Sequence, residues 1–209
     1  HSVQKNLVDN FHKLYYYSQV WKKTTWLNAK VQKCPMDLFV YQEIIAARKP
    51  DVIIETGTKY GGSALFMANV CDLIGHGEII TVDIVKEENR PIHKRITYLD
   101  GSSVSEAIIK EIQGLIKDKK RIMVILDSDH SKGHVLKELE LYYRFVTKDD
   151  YLIVEDTNLA GNPVSKSFGA GPYEAVQTFL KTNRMFKIDA EKEKFYLTFN
   201  PKGFLRRVK

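Results

Sequence analysis

From residue 51 onward, short wholly apolar runs alternate with longer amphipathic stretches. That rhythm constrains the fold more than any other feature of the 209-residue chain. Val52-Ile53-Ile54, Ile79-Ile80-Thr81-Val82, Ile96-Thr97-Tyr98-Leu99, Ile122-Met123-Val124-Ile125-Leu126 and Tyr151-Leu152-Ile153-Val154 read as strands. The segments at 63–74, 104–117 and 132–145 read as helices between them. Continuous apolar strands separated by helices imply a parallel sheet covered on both faces. After a further helix near 173–182, Phe186-Lys187-Ile188 and Phe195-Tyr196-Leu197-Thr198-Phe199 are joined by a charged turn. That turn is too short for a helical crossover, so these two strands are predicted to be antiparallel.

The expected architecture is a doubly wound α/β sheet of seven strands, five parallel plus a C-terminal antiparallel hairpin. This is the strand pattern of the class I methyltransferase fold; a plain dinucleotide-binding fold would continue with a sixth parallel strand. Ahead of the sheet, Val3, Leu7, Phe11, Leu14 and Ser18 fall on one helical face, widened by tyrosines 15 to 17. Residues 1–36 therefore read as an N-terminal helical extension, packed on the domain or on a second copy in a homo-oligomer, and 37–209 as the main domain. The Trp21–Pro35 segment reads as irregular. Asp37 reads as the N-cap of a helix that must stop before Pro50.

No apolar run approaches the length of a membrane span and no secretory pattern is present, so a cytoplasmic setting is the expectation. Cys71 lies among apolar helix residues and is predicted to be a buried thiol. The net charge of +6 gathers at Lys117, Lys119, Lys120 and Arg121 and at Lys202, Arg206, Arg207 and Lys209. Such clusters suit solvated surface or an anionic partner, and composition does not choose between them.

The stretch Glu55-Thr56-Gly57-Thr58-Lys59-Tyr60-Gly61-Gly62-Ser63 leaves the first strand and opens a helix. In open α/β sheets ligands bind at the carboxyl ends of strands, where glycines let the backbone turn sharply and approach the ligand. The loop lacks the lysine of a phosphate-gripping P-loop, and Thr58-Lys59-Tyr60 breaks the NAD fingerprint. What remains is Glu55, placed to accept from an ammonium, and Asp83 at the end of the second strand, placed to accept from ribose hydroxyls. A nucleoside joined to an amino acid describes S-adenosylmethionine better than a dinucleotide. After the third strand, Asp100-Gly101-Ser102-Ser103 supplies hydroxyls for an adenine site, and Ser103 doubles as a possible helix N-cap.

Asp127-Ser128-Asp129-His130 ends the fourth strand and Glu155-Asp156 the fifth. Adjacent parallel strands bring these carboxylates together, where they would repel unless a cation neutralised them. Hard oxygen ligands without a cysteine–histidine set point to Mg²⁺, Ca²⁺ or Mn²⁺. His130, beside them, is placed to take a proton from a hydroxyl. His134, one helical turn on, reads as a helix-face residue.

Pro35-Met36-Asp37-Leu38, the glycine loop at 55–64, Thr81-Val82-Asp83-Ile84, the stretch 126–142 and Tyr151–Asn158 together resemble the cephalosporin hydroxylase-type family. Its members are largely S-adenosylmethionine-dependent O-methyltransferases, related to macrolide-sugar and rhamnosyl O-methyltransferases. The resemblance covers about Trp26 to Gly203. It implies a cofactor pocket of Glu55, Gly57, Gly61, Ser63, Asp83 and Ser102, with Thr58, Gly62, Ser103 and Asp127 as further contacts. It implies metal ligation by Glu155 and Asp156 with either Asp127 or Asp129, and it puts His130 in the general-base position. The loop holding Gly161–Val164, Phe168-Gly169 and Gly171-Pro172 resembles a substrate-side flap, with Trp21–Pro35 opposite.

The expected activity is Mg²⁺-assisted methyl transfer from S-adenosylmethionine to a hydroxyl of a sugar or other small molecule. The rival enzyme reading is an RNA methyltransferase, but the chain shows no basic stripe interleaved with aromatics, and nucleic acid is not the expected partner. A non-catalytic nucleoside-binding module is the rival from another class, and it would leave the carboxylate cluster without a purpose.

Overall fold

The computed structural model describes residues 2–209. The five expected parallel strands form where the apolar runs lie: β3 (Val52–Thr56), β4 (Glu78–Asp83), β5 (Ile96–Asp100), β6 (Ile122–Leu126) and β7 (Tyr151–Val154). They are preceded by a two-stranded ribbon, β1 (Thr25–Trp26) and β2 (Ala29–Lys30), within the segment read as irregular. With β8 (Phe186–Ile188) and β9 (Phe204–Arg207), the main sheet runs β5-β4-β3-β6-β7-β9-β8, parallel from β5 to β7 and antiparallel thereafter. The chain reverses its lateral direction at β3, so a crevice opens where the loops after β3 and β6 diverge.

Side chains alternate across the pleat and build two layers. Val52, Ile54, Val124, Leu126, Leu152 and Val154 face α4 (Glu106–Leu115), α5 (Lys132–Tyr142) and α6 (Pro172–Thr182). Ile53, Ile79, Met123, Ile125 and Ile153 face α2 (Pro35–Arg48) and α3 (Gly62–Leu73). Cys71 lies in the second layer as a buried free thiol, as expected.

The last strand pair is antiparallel, but its second member is not where the apolar run suggested. Strand β8 is Phe186–Ile188, whereas β9 is Phe204–Arg207. Residues 195–199 instead leave the sheet, because Leu197 and Phe199 are buried with Cys34 against Tyr15, Tyr16 and Trp21. Phe204 and Leu205 are fully buried and take the ladder position between β7 and β8.

Asp37 is also not an N-cap. Pro35 opens α2 after Cys34, which puts Asp37 inside the first turn, where its Oδ2 accepts from the Phe199 N–H at 2.8 Å. Burial pushes this carboxyl up to about 7. A raised acid pKa means the folded state holds the proton more tightly, so this contribution is present at low pH and fades as pH rises through about 7. Ionising Asp37 should therefore cost about 4 kcal/mol of stability. In urea titrations, Asp37→Asn should flatten the fall in stability between about pH 4 and pH 7. An unchanged slope would show that other groups set it.

In α1 (Ser2–Ser18), His12 is buried and stacked on Phe199, with Nε2 2.9 Å from Asn158 Nδ2. Val3, Leu7, Phe11 and Leu14 stay exposed on the opposite face, so the stripe read from the sequence is not the surface that packs on the domain.

Candidate active site

The loops at the carboxyl ends of β3, β4, β5 and β6 enclose a cavity of about 650 Å³. That size suits a nucleoside-bearing small molecule. Gly57 has φ +86°, and a Cβ there would fall 1.9 Å from the Asp127 carbonyl oxygen. A Cβ on Gly62 would fall 2.1 Å from the Lys30 carbonyl oxygen. These two glycines thus admit neighbouring protein backbone, where the sequence suggested approach to a ligand. Gly57, Thr58 and Ser63 line the cavity; Gly61 and Gly62 support its floor from behind.

Glu55, expected to meet an ammonium, does not reach the cavity. It is buried beneath the floor, accepting from Ser63 Oγ at 2.5 Å and Thr81 Oγ1 at 2.7 Å. Its donor Ser63 is on the cavity wall. Asp83 stands at the end of β4 as expected and lines the cavity. Its carboxylate accepts from the backbone N–H groups of Lys59 (2.7 Å) and Val85 (3.0 Å), which fix its orientation. Ser102 and Ser103 line the third side. The N-cap of α4 is Ser105, which accepts from the Ile108 N–H, leaving Ser103 free of that duty.

The carboxylates of β6 and β7 converge, but the protein itself supplies a cation that sequence reasoning missed. Lys33, from the loop before α2, is fully enclosed, with Nζ 2.6 Å from Asp127 Oδ2, 2.5 Å from Glu155 Oε1 and 4.0 Å from Glu55 Oε1. These attractions overcome its burial and hold the ammonium well above the ordinary lysine value. Glu155 Oε1 also accepts from the Tyr41 hydroxyl at 2.8 Å. Burial and the neighbouring Asp127 push the Glu155 carboxyl well above the usual range, whereas Lys33 and His130 hold Asp127 below it despite burial. Glu155 is thus the member of the cluster that gives up its proton less readily, and it faces the protein interior.

A second group forms on the cavity side. His130 Nε2 lies 2.9 Å from Asp156 Oδ2 and 3.2 Å from Asp127 Oδ1. One donor atom each from Asp127, His130 and Asp156 lies within 4.8 Å of the others, a spacing one hard cation could bridge. Burial alone would lower His130, yet Asp156 and Asp127 hold its imidazole well above 6.5, so it carries the neutralising proton when no cation is present. Asp156 has a left-handed φ of +54°, and its N–H donates to Asn200 Oδ1 at 3.1 Å. Asn200 in turn donates to the Tyr41 hydroxyl, which ties the Glu155–Asp156 loop to α2 and to the segment before the last strand.

Of the expected metal set, the structure brings Asp127 and Asp156 together and adds His130. Glu155 is diverted to Lys33 and Tyr41. Asp129 lines the cavity but spends Oδ1 on the Ser131 N–H (2.7 Å) at the start of α5. Trp21, Lys22 and Gln32 of the N-terminal segment also line the cavity. From the expected flap, Ala170 accepts from the Lys132 N–H beside the His130 loop.

Comparison with known proteins places this geometry among relatives. The model of the family described as Rhamnosyl O-methyltransferase/CmcI matches residues 18–208. A rhamnosyl O-methyltransferase of Mycobacterium leprae is 40% identical over 211 residues, covering 97% of this chain and 91% of the relative. Apo CmcI shares the fold at TM-score 0.68 and 18% identity, covering 90% of this chain and 77% of that one. CmcI with Mg and SAM aligns at TM-score 0.63 and 18% identity, covering 90% and 78%.

Proposed function

Because the chain belongs to the Rhamnosyl O-methyltransferase/CmcI family and is an S-adenosylmethionine-dependent O-methyltransferase, we propose that it methylates a sugar hydroxyl with the help of Mg²⁺. The single observation that carries the metal-assisted reading is the Asp127–His130–Asp156 trio, which borders a cavity floored by the glycine loop. The donor set fits the ion: carboxylate oxygens and one imidazole nitrogen, with no thiolate nearby. Lys33 already balances the inner carboxylates, so the cavity-facing pair is the part of the cluster left to meet an added cation.

In this reading Asp127 and Asp156 would hold the cation, with His130 beside them and its Nε2 lone pair left for a proton. When bound, the ion supplies positive charge that favours both an ionised acceptor hydroxyl and a neutral His130. Asp83 accepts from the ribose hydroxyls of S-adenosylmethionine, and Ser63, backed by Glu55, meets its amino-acid end. His130 Nε2 then takes the proton from the acceptor hydroxyl. The oxygen attacks the methyl carbon as the carbon–sulfur bond breaks, and S-adenosylhomocysteine leaves. Trp21 and Gln32 line the same cavity and are the candidates to contact an acceptor sugar.

The test is methyl transfer to a rhamnosyl glycoside, followed by mass spectrometry. Turnover is expected to vanish with EDTA and to return with Mg²⁺. Turnover indifferent to EDTA would remove the metal from the mechanism, and failure of the wild-type protein to bind S-adenosylhomocysteine would remove the cofactor assignment.

A further inference from the structure

Helix α5 carries a polar seam that the reaction above does not use. His134, Glu138 and Tyr142 are spaced four residues apart and so share one face of the helix. All three turn toward the loops after β5 and β6. Tyr142 donates to the Ser103 carbonyl at 2.8 Å, Ser128 Oγ donates to Glu138 Oε1 at 2.7 Å, and His134 Nε2 lies 3.2 Å from Ser103 Oγ and 3.1 Å from Ser128 Oγ. Ser103, Ser128 and His134 all line the cavity.

The hydrogens can be counted along this seam. Ser128 has one hydroxyl hydrogen, and Glu138 takes it. Ser128 can therefore only accept from His134, so Nε2 is the protonated nitrogen. A protonated nitrogen offers no lone pair, so Ser103 Oγ can only share that one hydrogen as a second acceptor, with Glu138 Oε1 farther off at 3.6 Å. The hydrogen of the Ser103 hydroxyl is then left for the cavity, and Tyr142 fixes the backbone that carries it. Glu138 is wholly buried in the apolar layer beside Val135 and Leu139, and its Oε2 has no partner among the described residues. An apolar residue would suit that layer better, so packing does not account for the carboxylate.

We propose that His134, backed by Glu138, is a positioning residue that turns the Ser103 hydroxyl into an obligate donor to a ring nitrogen of the purine. This rests on the nucleoside cofactor assigned above and deepens it: the seam selects an acceptor nitrogen at the base, separately from the ribose contact at Asp83.

Calorimetry with S-adenosylhomocysteine, alongside thermal melts, tests it. His134→Ala and Ser103→Ala are each expected to weaken binding about tenfold, the worth of one well-placed hydrogen bond. The double variant should be no worse than either single, because both lie on one path. His134→Gln, which restores a donor, should recover most of the affinity. Glu138→Met should match the loss while melting no lower than wild type, which a purely structural role would not produce. Wild-type affinity in Glu138→Met, additive losses in the double variant, or parallel loss of affinity and melting temperature would each overturn the proposal. If His134→Ala does not fold, His134→Gln and Glu138→Met decide it. Nitrogen NMR of the ligand-free protein gives an arm independent of the cofactor: a hydrogen on His134 Nε2 is expected, and a bare Nε2 overturns the scheme. Absence of binding to the wild type together with a protonated Nε2 would locate the failure in the cofactor assignment, leaving the hydrogen-bond order intact.

Discussion

His130→Ala is expected to lower kcat by about two to four orders of magnitude while leaving affinity for S-adenosylhomocysteine nearly unchanged. The side chain sits on the carboxylate side of the cavity, bonded to Asp127 and Asp156, with none of its bonds on the nucleoside loops. Its removal takes away the proton acceptor closest to the cation-holding pair, and the acidic limb of the kcat/KM profile should go with it. A parallel titration with Mg²⁺ separates two roles that the geometry brings close together. Metal affinity kept while kcat falls marks a base; both lost together marks a ligand. Near-normal kcat with the acidic limb intact would return His130 to an ordinary loop residue.

Lys33→Met is expected to cost about 3–5 kcal/mol of stability, because it removes one partner of a buried ion pair and strands the other. The Lys33 ammonium is the only protein cation within 4.0 Å of Glu155 and Glu55 among the described residues, and it shares Asp127 with His130. Without it the inner carboxylates must take up protons to stay buried. Their folded-state pKa values then rise, so the loss of stability should be larger at about pH 8 than at about pH 5. Glu155→Gln in the same chain should recover part of the loss by deleting one stranded charge. Urea unfolding that shows Lys33→Met to cost less than about 1 kcal/mol would mean the ammonium does not carry the charge balance of the cluster.

The sheet and the loops that form the site were legible because each leaves a local mark. Apolar runs bounded by Gly57, Asp83, Gly101, Asp127 and Glu155 announce strands whose ends carry polar groups, and those ends do line or underlie the cavity. Lys33 left no such mark. It stands among Lys22, Lys23 and Lys30 in an irregular segment, and its partner Asp127 is 94 residues away. Only the closing of the Lys30–Lys33 backbone over Gly62 carries it inward. The assumption that converging carboxylates need a foreign cation was therefore half right: the inner ones use a lysine. The position of Glu155 at a strand end likewise says nothing of Tyr41 and Lys33 behind it. His134 could have been noticed, because a histidine, a glutamate and a tyrosine four apart on an otherwise apolar helix face are a visible irregularity. The Phe195–Phe199 segment has the aromatic content of a strand, yet Leu197 and Phe199 serve a small satellite core with Trp21 and Tyr16 while Phe195 and Tyr196 stay exposed.

The placing of β9 between β7 and β8 also sets an order of events. Strand β8 leaves the folding chain first, yet it has nothing to pair with until Phe204–Arg207 arrives and bonds on both sides. Until then the outer edge of β7 stands open, presenting Tyr151, Leu152 and Ile153 as a row of unpaired backbone groups. Such an edge is a template for the wrong partner. Closure is also a long-range event and therefore slow. The exposure of that edge to aggregation thus lasts until Phe204–Arg207 pairs with β7, and the same four residues give β8 the only sheet partner it has among the described residues.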